Sequence, residues 1–175
     1  IMAAQYWGKQ DAASIEKVIP IALRTNLLFS GLFTILAGFC PEILMRIFTN
    51  DAALVASGSQ YLRAVALSYV LCGISQVYLI LLKNTGHAAV SSRISSTAVV
   101  LNIILNAILI YGLCGAPALG IRGAAYATVA ARVVELIWAY LETKKPERVR
   151  ILWNRLFSSA GKILSEDFWR YTLPV

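Results

Sequence analysis

Four long apolar runs follow one another along this chain of 175 residues, at residues 18–40, 61–82, 94–115 and 120–141. About 20 consecutive apolar residues form a helix long enough to cross the hydrocarbon layer of a bilayer, which is about 30 Å thick. Charged residues make up only 14% of the chain, whereas soluble domains carry about 25%. The sequence therefore predicts an all-α, polytopic membrane helix bundle, with four complete transmembrane helices and the start of another.

The segments outside these runs suggest how the chain is organised. We expect transmembrane helices over residues 1–142, beginning with the end of a preceding helix. Residues 143–167 alternate basic and bulky apolar side chains, which is typical of an amphipathic helix on an anionic membrane surface. A specific partner site is the alternative interpretation. The "SED" sequence then offers a helix N-cap, so residues 168–175 are predicted to begin the next span.

Basic residues are distributed unequally between the two ends of the predicted helices. If each run crosses the membrane once, one side receives only Arg46, Arg63 and Arg122. The other side receives Lys9, Lys17, Arg24, Lys83, Arg93, Lys144, Lys145, Arg148, Arg150, Arg155, Lys162 and Arg170. Because the more basic side of a membrane protein stays cytoplasmic, we expect a multi-pass protein of the cell membrane with these loops inside. The basic residues form no stripe of the kind that binds nucleic acid, so the lipid bilayer is the expected partner.

Polar residues within the runs recur at helical spacing, and each set falls on one face of its helix. The sets are Asn26, Ser30 and Thr34; Ser68, Cys72, Ser75 and Gln76; Ser95, Asn102 and Asn106; and Thr128, Arg132 and Glu135. Because polar side chains in a bilayer usually face a partner helix or a wet cavity, we predict that the four faces line one shared cavity. The alternative is that they only join helices through hydrogen bonds.

Two pairs within these sets have more specific spacing. Asn102 and Asn106 lie one turn apart, so their amides form a patch of acceptors and donors. Arg132 and Glu135 are spaced to pair at i and i+3. Such a pair is either structural, or it allows Glu135 to take up and release a proton that couples to transport.

The predicted spans show no arrangement of residues that is typical of a catalytic or metal site. They contain no paired carboxylates, histidine cluster or Ser–Lys arrangement, so we predict no enzyme, no catalytic residues, no metal site and no cofactor. Cys40, Cys72 and Cys114 are interpreted as small hydrophobic residues, and His87 as a loop residue.

Several motifs, in this order, resemble the multidrug and toxic compound extrusion (MATE) transporters. "AAQYWGKQD" resembles the end of the second helix of that family, and "PEILMRIFTND" with "QYLRA" resembles the junction of the third and fourth. "LKNTGHAAVSS" resembles the entry to the fifth helix, "LNIILNAILIYG" with "GAPALGIRGAAYATVAARVVE" the fifth and sixth, and "SEDFWRYTLPV" the start of the seventh. The resemblance covers essentially the whole chain.

The resemblance implies a twelve-helix, two-lobed antiporter that exports organic cations and drugs in exchange for H⁺ or Na⁺. This chain would supply helices three to six of the N-terminal lobe, with the other helices of that lobe and the C-terminal lobe as its partners. In some members the cation site of that lobe uses an Asn and an Asp on the fifth helix and a Thr on the sixth. Asn102 and Thr128 match, but Asn106 stands where the Asp would be, and an amide does not titrate.

The resemblance therefore implies a cavity for substrate or cation at Asn102, Asn106 and Thr128, with coupling through Glu135 or the other lobe. The polar face of the second run adds Gln76 to the residues that we expect to line this cavity. Two alternatives remain. A flippase for lipid-linked saccharides has a similar helix plan but is expected to place more Arg and Lys within the spans. A membrane scaffold would not need aligned polar faces.

Overall fold

The computed structural model describes residues 2–146 and 148–149, which form an all-α bundle. Its helices are α1 (Met2–Gly8), α2 (Ala12–Phe39), α3 (Pro41–Arg46), α4 (Ala52–Asn84), α5 (Ala88–Tyr111) and α6 (Ile121–Thr143), with a short 3₁₀ turn at Leu113–Gly115. Four of these helices, α2, α4, α5 and α6, are long and apolar enough to cross a membrane. The predicted fold class is therefore confirmed. Most of the predicted linker at 143–167, and the helix start at 168–175, lie outside the described residues.

Three helices begin earlier than the hydropathy of the sequence indicates, and the first of them is α2, which starts at Ala12 instead of residue 18. Helix α4 starts at Ala52 instead of residue 61, because the Asp51 carboxylate accepts hydrogen bonds from the amides of Ala53 (2.8 Å) and Leu54 (3.3 Å). Such an N-cap satisfies amides that have no partner within the helix. Helix α5 starts at Ala88 instead of residue 94. Residues 52–60 and 88–93, which lie outside the apolar runs, are therefore helical.

The start of α2 and the break after it are also set by local chemistry. Asp11 caps α2 by accepting a hydrogen bond from the Ser14 amide (3.0 Å), and its bonds to Ser14 hold the pKa of the Asp11 carboxyl below its usual value of 3.8. Pro41 occupies the first turn of α3, a position that needs no amide hydrogen. The chain therefore ends α2 at Phe39 and begins a new helix at Pro41.

Helix α4 lies at the centre of the bundle, since it packs against α2, α5 and α6. Two apolar clusters anchor it near its C-terminal end. The first cluster joins α4 to α2 and comprises Ile15, Ile19, Leu23, Val77 and Leu81, with Val149. The second joins α4 to α5 and α6 and comprises Tyr78, Leu79, Leu82, Ile94 and Ala139. The bundle is therefore most tightly packed at the end where α4 turns into α5.

Glycine allows α5 and α6 to approach closely at the opposite end. A Cβ atom added to Gly123 would lie 2.4 Å from the Leu109 carbonyl oxygen, and the turn between the helices is closed by a hydrogen bond from the Leu119 amide to the same oxygen (2.9 Å). No side chain larger than hydrogen fits at Gly123 without moving backbone. This contact sets the position of the first turns of α6 beside the last turns of α5.

Candidate functional site

Asn102 and Asn106 of α5 and Thr128 of α6 are joined by hydrogen bonds. Asn106 Nδ2 donates to Asn102 Oδ1 (3.0 Å), and Asn102 Nδ2 donates to Thr128 Oγ1 (3.4 Å). The Thr128 hydroxyl in turn donates to the Ala124 carbonyl (2.9 Å). The structure therefore brings together the three residues that the sequence places on facing sides of α5 and α6.

One acceptor in this chain of hydrogen bonds has no partner. Asn106 Oδ1 is buried and receives no hydrogen bond within the described residues. A buried polar atom without a partner costs free energy, so a native protein usually pairs it with water, an ion or a ligand. Asn106 Oδ1 is thus the one acceptor of this hydrogen-bonded set that the described residues leave without a donor.

Arg132 and Glu135 of α6 form the ion pair that their spacing predicts, through Arg132 Nη1 and Glu135 Oε2. The two side chains differ in exposure, since Glu135 is 1% exposed and Arg132 is 33% exposed. Arg132 lines a cavity of about 90 Å³ between α5 and α6, together with Asn102 and Thr128 and with Ala98, Val99 and Ala131. Arg132 thus lines the cavity, whereas Glu135, its ion-pair partner, is buried and is not among the lining residues.

Gln76 lies in a different place from the other predicted site residues. It lines a cavity of about 480 Å³ between α2 and α4, with Ala22, Thr25, Asn26, Phe29, Ser30, Phe33, Tyr69, Cys72 and Gly73. Because α4 packs between α2 and α6, the polar faces of the described helices are distributed over two cavities instead of the predicted single one.

Some of the polar residues serve contacts between helices. The Thr34 hydroxyl of α2 is within hydrogen-bonding distance of the Ala66 carbonyl of α4 (3.1 Å), which matches the alternative interpretation for that residue. The Ser91 hydroxyl of α5 donates to the Leu79 carbonyl of α4 (3.0 Å), a contact that was not predicted.

Sequence reasoning also missed the aromatic lining of the larger cavity, formed by Phe29, Phe33 and Tyr69. Phe29 and Phe33 are four residues apart, as are Tyr69 and Gly73, so each pair shares a helix face. That spacing could have predicted an aromatic lining. It is not specific, however, because aromatic residues in a span are also expected on its lipid-facing side.

Comparison with known proteins identifies the family of this chain. The family model MatE matches residues 1–108. The "Probable multidrug resistance protein NorM" of Thermotoga maritima is 30% identical over 132 residues, which are 72% of this chain and 28% of that protein. The chain spans about a third of the length of its curated relatives, at 28%, 34% and 32% of three of them.

Solved structures of transporters share the fold. An inward-facing multidrug resistance MATE family transporter of the MOP superfamily superposes with a TM-score of 0.81 at 22% identity, over 96% of this chain and 37% of that one. An outward-facing structure of such a transporter gives a TM-score of 0.78 at 25% identity, over 96% of this chain and 36% of that one. With its family match over more than half its length and its four apolar helices, this chain belongs to the MATE family of membrane transporters.

Proposed function

We propose that the protein containing this chain is a secondary antiporter that exports organic cations or drugs in exchange for H⁺ or Na⁺. In this proposal, α2, α4, α5 and α6 are helices three to six of the N-terminal lobe. They pack against the remaining helices of that lobe and face the C-terminal lobe, and the basic loops lie in the cytoplasm. The membership in the MATE family supports this assignment, as does the multidrug resistance named for the NorM relative.

The observation that carries the proposal is the hydrogen-bonded set Asn106, Asn102 and Thr128, with Asn106 Oδ1 left as a buried acceptor. Hard cations such as Na⁺ prefer oxygen ligands, including amide carbonyls and hydroxyls. Helices that meet near the middle of a bilayer commonly hold the coupling ion or substrate of a transporter. We assign a Na⁺ ion, or the positive group of a cargo molecule, to this set.

Proton coupling would need a different group, because the Asn106 amide does not titrate. Glu135 is the carboxylate that lies next to the α5–α6 cavity, paired with Arg132. The replacement of Glu135 by Gln keeps the size of the side chain and removes its titration. If protons enter through Glu135, the variant Glu135→Gln loses the dependence of efflux on pH. An unchanged pH profile removes this residue from the coupling route.

Efflux of ethidium from cells that express the protein, under imposed H⁺ or Na⁺ gradients, tests the transport function. We expect Asn106→Ala to lower gradient-driven efflux by about tenfold, because a cation bound by an amide loses a charge-assisted interaction. The matched control is Asn50→Ala, an exposed asparagine between α3 and α4, which should leave efflux unchanged. Efflux and ion dependence that survive Asn106→Ala intact would contradict the assignment.

A further inference from the structure

We propose that the connection between α2 and α4 binds a phospholipid with an ethanolamine headgroup, phosphatidylethanolamine, at the membrane surface. In this proposal Arg46 binds the phosphate of the headgroup, Glu42 binds its ammonium group, and Ile43 and Ile47 contact the apolar part of the lipid. The inference goes beyond the transport function proposed above and does not depend on it, since it requires only that α2 and α4 cross a membrane.

The first argument is the depth of this connection in the bilayer. Helix α4 has 33 residues, which make it about 50 Å long at about 1.5 Å per residue. The hydrocarbon layer is about 30 Å thick and each headgroup layer adds roughly 5–7 Å, so residues 52–60, which precede the apolar run of α4, cross the headgroup layer. Helix α3 packs beside them, because Met45 lies against Gly58 and Glu42 Oε1 lies 3.7 Å from Arg63 Nη2. Helix α3 is therefore at the level where headgroups meet acyl chains.

The second argument is the apolar surface that this connection leaves uncovered. Phe39, Ile43, Ile47 and Phe48 are between 65% and 83% exposed. A large exposed apolar patch marks a site that contacts a membrane or another protein. Because α3 lies at the level of the headgroups, the glycerol and upper acyl groups of the neighbouring lipids are the apolar groups that reach these side chains.

The third argument is the pair of opposite charges beside this apolar surface. Glu42 and Arg46 are spaced at i and i+4, which usually allows an ion pair within a helix. In the structure Glu42 pairs with Arg63 instead, and the guanidinium of Arg46 has no ion pair or hydrogen bond within the described residues. Glu42 and Arg46 both line a surface cavity of about 490 Å³ between α3 and the first turns of α4. A cation and an anion thus border one cavity, which suits a ligand that carries both charges.

An ethanolamine headgroup has the chemistry that this cavity requires. A guanidinium binds phosphate oxygens through two parallel hydrogen bonds. A primary ammonium group has three N–H donors, as a lysine side chain has, and it can donate them to a carboxylate. The trimethylated ammonium of phosphatidylcholine has no such donor. Both side chains are exposed and free to turn toward the headgroup, and small-molecule sites of about 300–1,000 Å³ include the volume of this cavity.

Quenching of a tryptophan by brominated lipids tests the proposal. The reporter is Ile43→Trp in the full-length protein, with the native tryptophans replaced by phenylalanine, in phosphatidylcholine nanodiscs that contain a minor fraction of one lipid with brominated acyl chains. We expect brominated phosphatidylethanolamine to bind beside the reporter at least about threefold more tightly than brominated phosphatidylcholine, within the range that one exposed charge pair contributes. Brominated phosphatidylglycerol, which has the phosphate but no ammonium group, should quench less than the ethanolamine lipid.

Four variants of the reporter protein separate the roles of the charges. Glu42→Gln should lose the preference for the ethanolamine lipid, because the carboxylate that attracts the ammonium group is gone. Arg63→Gln removes the ion-pair partner of Glu42 and should keep the preference. Arg46→Gln should weaken the binding of both lipids, because both carry the phosphate. Arg122→Gln removes an exposed cation at the same end of the bundle and should leave binding unchanged.

Equal quenching by the ethanolamine and choline lipids would overturn the proposal. Stronger quenching by phosphatidylglycerol would also overturn it, since the site would then attract any anion. A preference that is lost in both Glu42→Gln and Arg63→Gln would assign the effect to the ion pair instead of the cavity, and the proposal would be wrong. If none of the lipids quenches the reporter, another part of the protein covers α3, and lipid binding there is excluded. Ethidium efflux tests the transport function separately, because none of these variants changes Asn102, Asn106 or Thr128.

Discussion

At the scale of single residues, the side chains of α5 and α6 show how a polar group is accommodated within an apolar span. The Asn102 amide is used at both ends, since its oxygen accepts from Asn106 and its nitrogen donates to Thr128. Each such bond in a membrane contributes about 0.6 kcal/mol, so packing alone gives little reason for two adjacent amides. A function for the buried Asn106 oxygen explains their presence better than stability does.

The Arg132–Glu135 pair leads to a prediction about stability. Removal of one member of a buried pair leaves the other charge without compensation, at a cost of about 3–5 kcal/mol. We expect Glu135→Ala to lower the free energy of unfolding in detergent by about this amount, discounted toward the lower end because Arg132 is partly exposed. The double variant Glu135→Ala with Arg132→Gln should recover most of the lost free energy of unfolding, because no uncompensated charge remains.

The matched control for this prediction is the exposed pair between Glu42 and Arg63, whose charged atoms are 3.7 Å apart. Exposed pairs contribute about 0–1 kcal/mol, so Glu42→Ala should change stability little. Equal losses from Glu135→Ala and Glu42→Ala would show that the Arg132–Glu135 pair is also hydrated.

For the site, the sequence could predict only which residues share a face of the same helix, because this depends on the helical period alone. The spacing of Asn102 and Asn106, and of Arg132 and Glu135, places each pair on one face of its helix, and both pairs form in the structure. The rotation of one helix against another depends on packing between helices. Gln76 was therefore grouped with Asn102, although α4 turns it toward α2.

At the scale of helices, the contact between α5 and α6 depends on Gly123. An added Cβ would lie 2.4 Å from the Leu109 carbonyl oxygen, and backbone cannot move aside as a flexible side chain does. We expect Gly123→Ala to separate the helices and lower the thermal unfolding temperature of the purified protein by several degrees. The magnitude follows from overpacking, which costs about 1–3 kcal/mol.

Gly31 of α2 provides the control for this substitution. No atom lies within 4 Å of a Cβ added there, and alanine is favoured over glycine within a helix by about 1 kcal/mol. Gly31→Ala should therefore be neutral or slightly stabilising. If both variants unfold at the same temperature as the unmodified protein, the close approach of α5 to α6 is not needed for stability.

The sequence predicts that the four long helices exist, but it predicts less well at which residues they begin and end. Long apolar runs identify α2, α4, α5 and α6 because the membrane requires that length. The first turns of α4 include Leu54 and Val55 but otherwise consist of small and polar residues, and hydropathy alone does not separate such a segment from a loop. Their helical state follows from the Asp51 cap.

At the scale of the whole molecule, the charge distribution predicts how the bundle is oriented. Cys114 is exposed in the turn between α5 and α6, at the end of the bundle that carries few basic residues. With the basic end in the cytoplasm, Cys114 faces the outside of the cell. A membrane-impermeant maleimide should label it in intact cells.

A cysteine at the opposite end completes this measurement. Lys145 is exposed just after α6, and Lys145→Cys, with Cys114 replaced by alanine, should react with the same maleimide only after the cells are broken. Labelling of Lys145→Cys in intact cells would reverse the orientation, and equal labelling of both positions would contradict a single topology.

The central claim is that Asn102 faces a hydrated, ligand-binding cavity inside the membrane, and accessibility at single cysteines tests it most directly. With the native cysteines replaced by alanine, the reaction of a charged methanethiosulfonate reagent is compared at Asn102→Cys and Val100→Cys. Val100 is an exposed residue of α5 that does not line the cavity. The account predicts that Asn102→Cys reacts, that norfloxacin slows this reaction, and that Val100→Cys stays unreactive in lipid. Equal reaction at both positions, or reaction at Val100→Cys alone, would contradict it.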